Sequence, residues 1–367
     1  MAEQFDVVIV GGGQAALAAS YFLRRTGLTY VILDNGTQAG GAWVHGWDSL
    51  HLFSPASYSS LPGWPMPDTP DGSYPTRDEV LDYLHRYEAR YAPPIHRPVM
   101  VGRVERTDQK FLNVRTSVGD FVSRAVIGAT GTWSAPFIPD YPGRELFVRT
   151  QIHSSHYCNA LPFAGQRLLV VGGGNSGAQI MAELSLVAQA TWVTQHDPVF
   201  LPDDVDGRVL FERATARVLG GPSAMPTGGF GDIVMVPPVR AARERGVLHA
   251  VRQFVRMTAT GVVWPDGREE AIDAIIWCTG FRPALSMFAP LDVIEPDGLI
   301  RVNGQQAVRE PRLWLLGYGS WCGPASATLL GAGRVARSMV RQLAAWLASP
   351  AQGVRFQNLE RLSLRPT

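Results

Sequence analysis

The chain has 367 residues, 46% of them hydrophobic and 18% charged, with a formal net charge of +1. That length gives two or three domains with a sizeable core, and the composition excludes a disordered chain. The near-zero net charge gives no electrostatic ground for a nucleic acid or an anionic membrane as partner.

The first apolar run starts at Phe5, which leaves no room for a secretory or transit peptide. No uninterrupted apolar run reaches the roughly 18 residues of a membrane span. Cys158, Cys278 and Cys322 are too few and too scattered for a disulfide framework or a zinc site. The expectation is a cytoplasmic protein without a metal.

Phe5-Asp6-Val7-Val8-Ile9-Val10 leads directly into Gly11-Gly12-Gly13-Gln14-Ala15-Ala16. This pattern predicts a buried parallel strand turning sharply into a helix. Glycines there admit a pyrophosphate, and the helix N-terminus offers N–H groups and partial positive charge. The helix is predicted over 15–25, with Leu17, Tyr21 and Phe22 available to a sheet, and Thr26-Gly27 ends it. A second strand is predicted over 29–33, closed by Asp34, 21 residues past Gly13, with Asn35 next to it. A carboxylate at that spacing accepts hydrogen bonds from an adenosine ribose. Residues 41–76, rich in Gly, Pro, Ser and aromatics, read as a long irregular segment over a cofactor. A helix over 77–91 follows, with Val80, Leu81, Leu84 and Tyr87 on one face.

A second glycine turn, Gly172-Gly173-Gly174-Asn175-Ser176-Gly177, follows Leu168-Leu169-Val170-Val171, 161 residues after the first. Two such turns imply two dinucleotides and electron transfer between them. A weak internal repeat agrees: Arg124-Ala125-Val126-Ile127-Gly128-Ala129-Thr130-Gly131 resembles Asp273-Ala274-Ile275-Ile276-Trp277-Cys278-Thr279-Gly280. Each closes a unit opened by a glycine turn, and its terminal Gly lets the chain pass close to a dinucleotide. The fold class is therefore α/β, with two Rossmann-like units, the second inserted into the first. The expected divisions are 1–158 for the first part of the first unit, 159–280 for the inserted unit and 281–367 for the returning part. A largely helical stretch is predicted over 325–347.

On physics alone the first site suits FAD or NAD. At the second, the position matching Asp34 is Gln195, followed by His196. The stretch offers no carboxylate to repel a 2′-phosphate and no Arg to clamp one. Gln bonds a hydroxyl or a phosphate, and His carries partial charge near its ordinary pKa of about 6.5. Weak discrimination between NADH and NADPH is the expectation.

The stretch Phe147-Val148-Arg149-Thr150-Gln151-Ile152-His153-Ser154-Ser155-His156-Tyr157 resembles the fingerprint of flavin-containing monooxygenases, F-x-G-x-x-x-H-x-x-x-Y/F, with Arg149 replacing the internal Gly. The resemblance spans nearly the whole chain, through the two glycine turns, Gly40-Gly41-Ala42-Trp43, Thr130-Gly131 and Thr279-Gly280-Phe281. Baeyer–Villiger monooxygenases are close relatives, and Gln195-His196 looks most like a small bacterial subgroup accepting either nicotinamide. The resemblance implies FAD at Gly11, Gly13, Gln14, Ala15, Asp34, Asn35, Gly41, Ala42, Trp43, His51, Thr130 and Gly131. It implies NADH or NADPH at Gly172, Gly174, Asn175, Ser176, Gly177, Gln195, His196, Thr279 and Gly280.

The implied reaction has three stages. NAD(P)H reduces the flavin, O2 adds at flavin C4a, and the (hydro)peroxyflavin oxygenates a small organic sulfide or ketone. His51 and Phe53 fall in the flavin-facing segment, Phe53 where many relatives carry Asn. Phe cannot donate a hydrogen bond there, so stabilisation of the oxygenating species is expected to be weak. Gly319-Ser320 stands where many related flavoproteins have Gly-Asp, and the Ser hydroxyl can still bond a ribityl chain.

Two other readings share these cofactors: an NAD(P)H oxidase or quinone/dye reductase, which Phe53 favours, and a redox-sensing flavoprotein without turnover. A disulfide reductase needs a close Cys pair, and the nearest two cysteines are 44 residues apart. A homodimer is the expected assembly.

Overall fold

The computed structural model describes residues 3–69, 73–107, 110–212 and 232–349. The chain begins β1 (Glu3–Val10), α1 (Gln14–Leu23), β2 (Tyr30–Leu33), α2 (Arg77–Tyr91), β3 (Ile95–His96), β4 (Val101–Arg106), β5 (Leu112–Thr116) and β6 (Gly119–Gly128). It continues with β7 (Thr150–His153), β8 (Arg167–Val171), α3 (Asn175–Leu184), β9 (Gln189–Thr194), α4 (Pro237–Glu244) and β10 (Ala250–Arg252). Next come β11 (Arg256–Met257), β12 (Gly261–Val263), β13 (Glu269–Ala271) and β14 (Ala274–Trp277). The last described elements are β15 (Val302–Asn303), β16 (Gln306–Ala307), β17 (Leu313–Leu315) and α5 (Leu329–Ala348).

Two larger sheets organise these elements. The first has nine strands ordered β15-β16-β17-β6-β1-β2-β3, with β4 and β5 attached at β6. The second is ordered β10-β9-β8-β14-β7, and β11 to β13 form a small third sheet. The centre of each larger sheet repeats one plan. β1 pairs in parallel with β2 and β6, and β8 pairs in parallel with β9 and β14. Val7, Val8 and Ile9 are wholly buried, as expected of a parallel strand covered on both faces.

On one face of the first sheet, α1, α2 and α5 close a core containing Ile9, Leu17, Leu84 and Met339. Val8, Val126, Phe288 and Leu315 fill the other face. In the second sheet Val170, Ile180 and Trp192 pack on one side, and Leu169, Phe254 and Trp277 on the other.

β15 to β17 rejoin the first sheet, and α5 packs along α1. Of the returning part, 350–367 lies outside the described residues, as does 70–72 of the irregular segment. The expected boundary at 158 puts 150–153 with the first unit, yet β7 is hydrogen-bonded to β14 as an edge of the second sheet. The cause is register, since Thr150 to His153 run alongside Ala274 to Trp277 residue for residue. On α2 the buried face is Val80, Tyr83, Leu84 and Tyr87. Leu81, predicted there, is half-buried beside Gly40, while Tyr83 turns inward because its hydroxyl donates to Trp64 O at 2.7 Å.

Candidate functional site

Both glycine turns are backbone constructions that side chains would disrupt. Gly11 has φ +101°, and a Cβ there would lie 2.6 Å from the Ala129 carbonyl oxygen on β6's exit loop. Gly172 has φ +136°, and its Cβ would run into the Cys278 carbonyl just past β14. Each first glycine is thus pressed against the Thr-Gly strand that closes its own unit. At Gly177 a Cβ would collide with the Gly172 carbonyl, which also accepts from Trp192 Nε1 at 2.8 Å.

The helices leaving these turns start bare, as does α4, whose first turn holds prolines in place of N–H donors. α1 begins after Gly13 and α3 after Gly174, with no side-chain cap and no acidic residue in either first turn. By contrast, Thr76 and Glu79 form a capping box on α2, and Thr328 caps α5. A helix start whose N–H groups meet no side-chain acceptor is open to an anion. Gly131, Gly280 and Gly319 all have positive φ, and a Cβ on any of them meets nothing within 4 Å. Backbone is therefore openly presented beside both turns, which fits dinucleotides.

Around the first turn, Gln14 is a hub: its Nε2 donates to Ala327 O at 2.7 Å and its Oε1 accepts from Trp43 Nε1 at 2.9 Å. That ties α1 to the Gly41–His45 turn, where Gly41 packs on Gly13 so closely that a Cβ would come within 2.7 Å of Gly13 Cα. Ala15 is buried, and Ala42, next to Gly41, is exposed.

Asp34 ends β2 directly beneath Gly12. Its Oδ2 accepts from Arg97 Nε at 2.6 Å and its Oδ1 from Gly36 N–H at 3.2 Å, while Asn35 is exposed. Arg97 also donates twice to Glu88, at 3.0 Å each. Burial lowers the Arg97 pKa, but the bonds to Glu88 and Asp34 more than offset it and hold the guanidinium charged.

Thr130 donates to Ala284 O at 2.7 Å and accepts from the Tyr318 hydroxyl at 2.7 Å. Tyr318 in turn accepts from the Thr130 N–H at 3.3 Å, and burial pushes its phenol well above the usual range. Its role in holding this turn had no signal in the sequence, because the partners are 188 residues apart.

The aromatic residues following the two Thr-Gly turns meet. Trp133 stacks on Phe281 at 5.1 Å and faces His45 at 6.0 Å, and Phe281 meets His153 edge-on at 4.8 Å. Thr279 Oγ1 donates to Phe137 O at 2.5 Å, and Gly280 O accepts from Phe137 N–H at 2.9 Å. His153 Nδ1 accepts from Ser155 N–H at 3.1 Å, which leaves Nε2–H to donate to Gly280 O at 2.9 Å. Burial lowers the His153 pKa, so this imidazole is a neutral brace. Tyr157 is likewise structural, its hydroxyl donating to Glu183 at 2.7 Å.

His51 is exposed, its Nδ1–H donating to Ser49 O at 2.7 Å. Phe53 is half-buried against the second unit's core, and its carbonyl accepts from Gly207 N–H at 2.6 Å. At the second turn Asn175 donates to Asp232 O at 2.8 Å and accepts from Val234 N–H at 2.9 Å. Ser176 is half-buried at the start of α3, and Gln195 and His196 lie exposed past the end of β9. An arginine does stand at this point: Arg252, at the end of neighbouring β10, donates to Gln195 O at 3.3 Å. It was missed because it lies 57 residues downstream.

All three cysteines are free, and burial raises the Cys278 thiol far above the ordinary range. No group of metal-binding side chains occurs among the described residues. None of their helices is long and apolar enough to cross a membrane.

Two sheets with parallel centres, each with a glycine turn opening onto an uncapped helix, define a two-dinucleotide-binding flavoprotein fold. The pyridine nucleotide-disulphide oxidoreductase family matches residues 8–207. A flavin-containing monooxygenase from Stenotrophomonas maltophilia is 54% identical, with a TM-score of 0.86 over 94% of this chain and all of that one. A double mutant of a flavin monooxygenase from the same organism, with adjacent Gln and His changed to Arg and Thr, superposes at 0.87 with the same identity and coverage. An uncharacterized CzcO-like oxidoreductase of Geobacillus kaustophilus is 29% identical over 346 residues, covering 92% of this chain and 98% of its own. The chain belongs to the pyridine nucleotide-disulphide oxidoreductase family and, within it, to the flavin-containing monooxygenases.

Proposed function

We propose that the Gly11 turn holds FAD and the Gly172 turn holds NADH or NADPH, in a monooxygenase acting on small organic sulfides. The observation that carries this reading is the pair of glycine-started helices whose first turns lack any side-chain acceptor. When bound, FAD accepts hydride from the nicotinamide and activates dioxygen.

The chain's residues bind, orient and shield. Gly11, Gly13, Gln14 and Ala15 approach the flavin pyrophosphate, with Asp34 and Asn35 at its ribose. Gly41, Ala42, Trp43, Thr130 and Gly131 flank the rest of that cofactor, with His51 and Phe53 in the segment facing its ring. Gly172, Gly174, Asn175, Ser176 and Gly177 take the nicotinamide pyrophosphate, and Thr279 and Gly280 close over it. Supporting a low-charge substrate, the rings of His45, Trp133 and Phe281 stack where the segments after the two Thr-Gly turns meet. Aromatic rings of this kind suit a thioether, and ketones are the second class to assay.

Gln195 and His196 are read as the adenosine 2′ contact that tolerates either nicotinamide. Gln195-His196 is the one adjacent Gln-His pair in this sequence, and such a pair was the target in the Stenotrophomonas double mutant. The chain is divided as a first unit over 1–158 and 281–367 with 159–280 inserted, 150–153 crossing to the inserted sheet. A cytoplasmic homodimer completes the reading.

A single-turnover experiment tests it. Enzyme reduced anaerobically with NADH is mixed with oxygen and a simple thioether, and sulfoxide and hydrogen peroxide are quantified. One sulfoxide per flavin supports the reading. Stoichiometric hydrogen peroxide without sulfoxide overturns it in favour of an oxidase or reductase.

A further inference from the structure

We propose that Arg252 and Asp197 form a displaceable ion pair that sets the NADPH/NADH preference of the second site. The inference rests on the nicotinamide reading of the Gly172 turn. β10 runs parallel to β9 with Arg252 opposite Thr194, so the Arg252 side chain emerges at the strand end where Gln195 and His196 begin. Its guanidinium donates from Nη1 to the Gln195 carbonyl at 3.3 Å and pairs from Nη2 with Asp197 Oδ1 at 3.0 Å. One of its five N–H groups is used in a hydrogen bond, and the contact to Asp197 is an ion pair only, which leaves four N–H groups to offer.

The Arg252 side chain is 57% exposed and that of Asp197 88%, so their mutual attraction is screened and weak. A phosphate dianion presents more charge than a carboxylate and matches the guanidinium fork. Joined to an adenosine 2′ oxygen above Gln195, it would draw Arg252 away from Asp197. NADH carries a hydroxyl there and leaves the pair intact. Asp197 thus holds back an arginine that a 2′-phosphate can recruit. The competition limits NADPH preference without abolishing it, which complements Gln195 and His196.

The test is calorimetric titration of the FAD-loaded protein with NADP+ and with NAD+. Arg252→Ala is expected to lower the NADP+/NAD+ affinity ratio about tenfold, the worth of one charged hydrogen bond. Asp197→Asn, which keeps the shape and removes the competing charge, is expected to raise that ratio about threefold, as for an exposed pair. Ratios unmoved in both variants, or NAD+ and NADP+ changing in parallel, overturn the proposal. Gly174→Val separates the two levels of failure. Undiminished binding of both nucleotides by that variant sinks the site and the ion-pair proposal together. Loss of both, with ratios unmoved at Arg252 and Asp197, sinks the ion-pair proposal alone.

Discussion

Replacing Arg97 with Met should be among the most destabilising single changes outside the glycine turns. The side chain makes three charge-assisted hydrogen bonds, to Asp34 at 2.6 Å and to Glu88 at 3.0 Å twice. All three side chains are sheltered, 14% exposed for Arg97, 11% for Asp34 and 15% for Glu88. Removing the cation strands two half-desolvated carboxylates within one cluster. Breaking a buried pair from one side costs about 3–5 kcal/mol, and the sheltering leaves little ground to discount that figure for solvent screening. With a urea slope of about 3 kcal/mol/M, the midpoint falls by about 1–2 M.

The assay is urea unfolding followed by circular dichroism and by flavin release, because Asp34 sits under the first turn. Adding Glu88→Gln to Arg97→Met should recover part of the loss, since one stranded charge is then gone. Arg97→Lys should recover less than full stability, as an ammonium lacks the fork that reaches both acids. A midpoint within 0.3 M of wild type (about 1 kcal/mol at that slope) would refute the stranded-charge reasoning, as would no recovery in the double variant.

Four other perturbations test the site. Gly13→Val should yield folded but colourless protein, because a Cβ there meets only Gly41 Cα at 3.8 Å while the added branches would compete with the proposed pyrophosphate; a fully yellow variant would sink the assignment. His196→Arg should raise the NADPH/NADH ratio of kcat/KM by about 10- to 100-fold, the span of a charged hydrogen bond, and an unchanged ratio counts against the Gln195-His196 contact. Phe53→Asn should increase sulfoxide at the expense of hydrogen peroxide in single turnovers, and an unchanged partition shows that Phe53 does not limit coupling. His153 has a folded pKa below its ordinary 6.5, so its stabilising contribution is complete above that value and shrinks as pH falls toward the folded pKa. Stability measured from pH 7.5 to 5 should therefore fall more steeply in wild type than in His153→Gln, and parallel curves would contradict the neutral-brace assignment.

The parts legible in the sequence were those written in contiguous residues. An apolar run, three glycines and an amphipathic stretch announce β1 and α1, and the apolar face from Val80 to Tyr87 announces α2 over Arg77–Tyr91. The repeat ending in Thr130-Gly131 and Thr279-Gly280 also surfaced, because both ends press a glycine turn from the same side. Contacts made across the fold were not legible. Asp34 invited a ribose assignment, but nothing nearby announces Arg97 as its ion partner 63 residues on. Arg252 stayed hidden because β-sheet order, not chain order, brings it beside Gln195. β4 and β5 were missed as well, since an antiparallel extension grafted onto β6 has no counterpart in the repeat.

The connections between the two sheets have a mechanical corollary. The chain passes from one to the other near 131–137 and returns near 279–284. The two passages are laced by Phe137 N–H to Gly280 O, Arg282 N–H to Ala135 O and Ala284 N–H to Gly131 O, at 2.8 to 2.9 Å. A single connector would be a swivel; two laced connectors form a strap that yields to flexing but resists torsion. The strap fixes the twist of one sheet against the other, and the bridges from Gly207 N–H to Phe53 O and from Asp48 N–H to Cys158 O brace the same seam. Loosening that strap should therefore slow hydride delivery before it weakens the grip on either nucleotide.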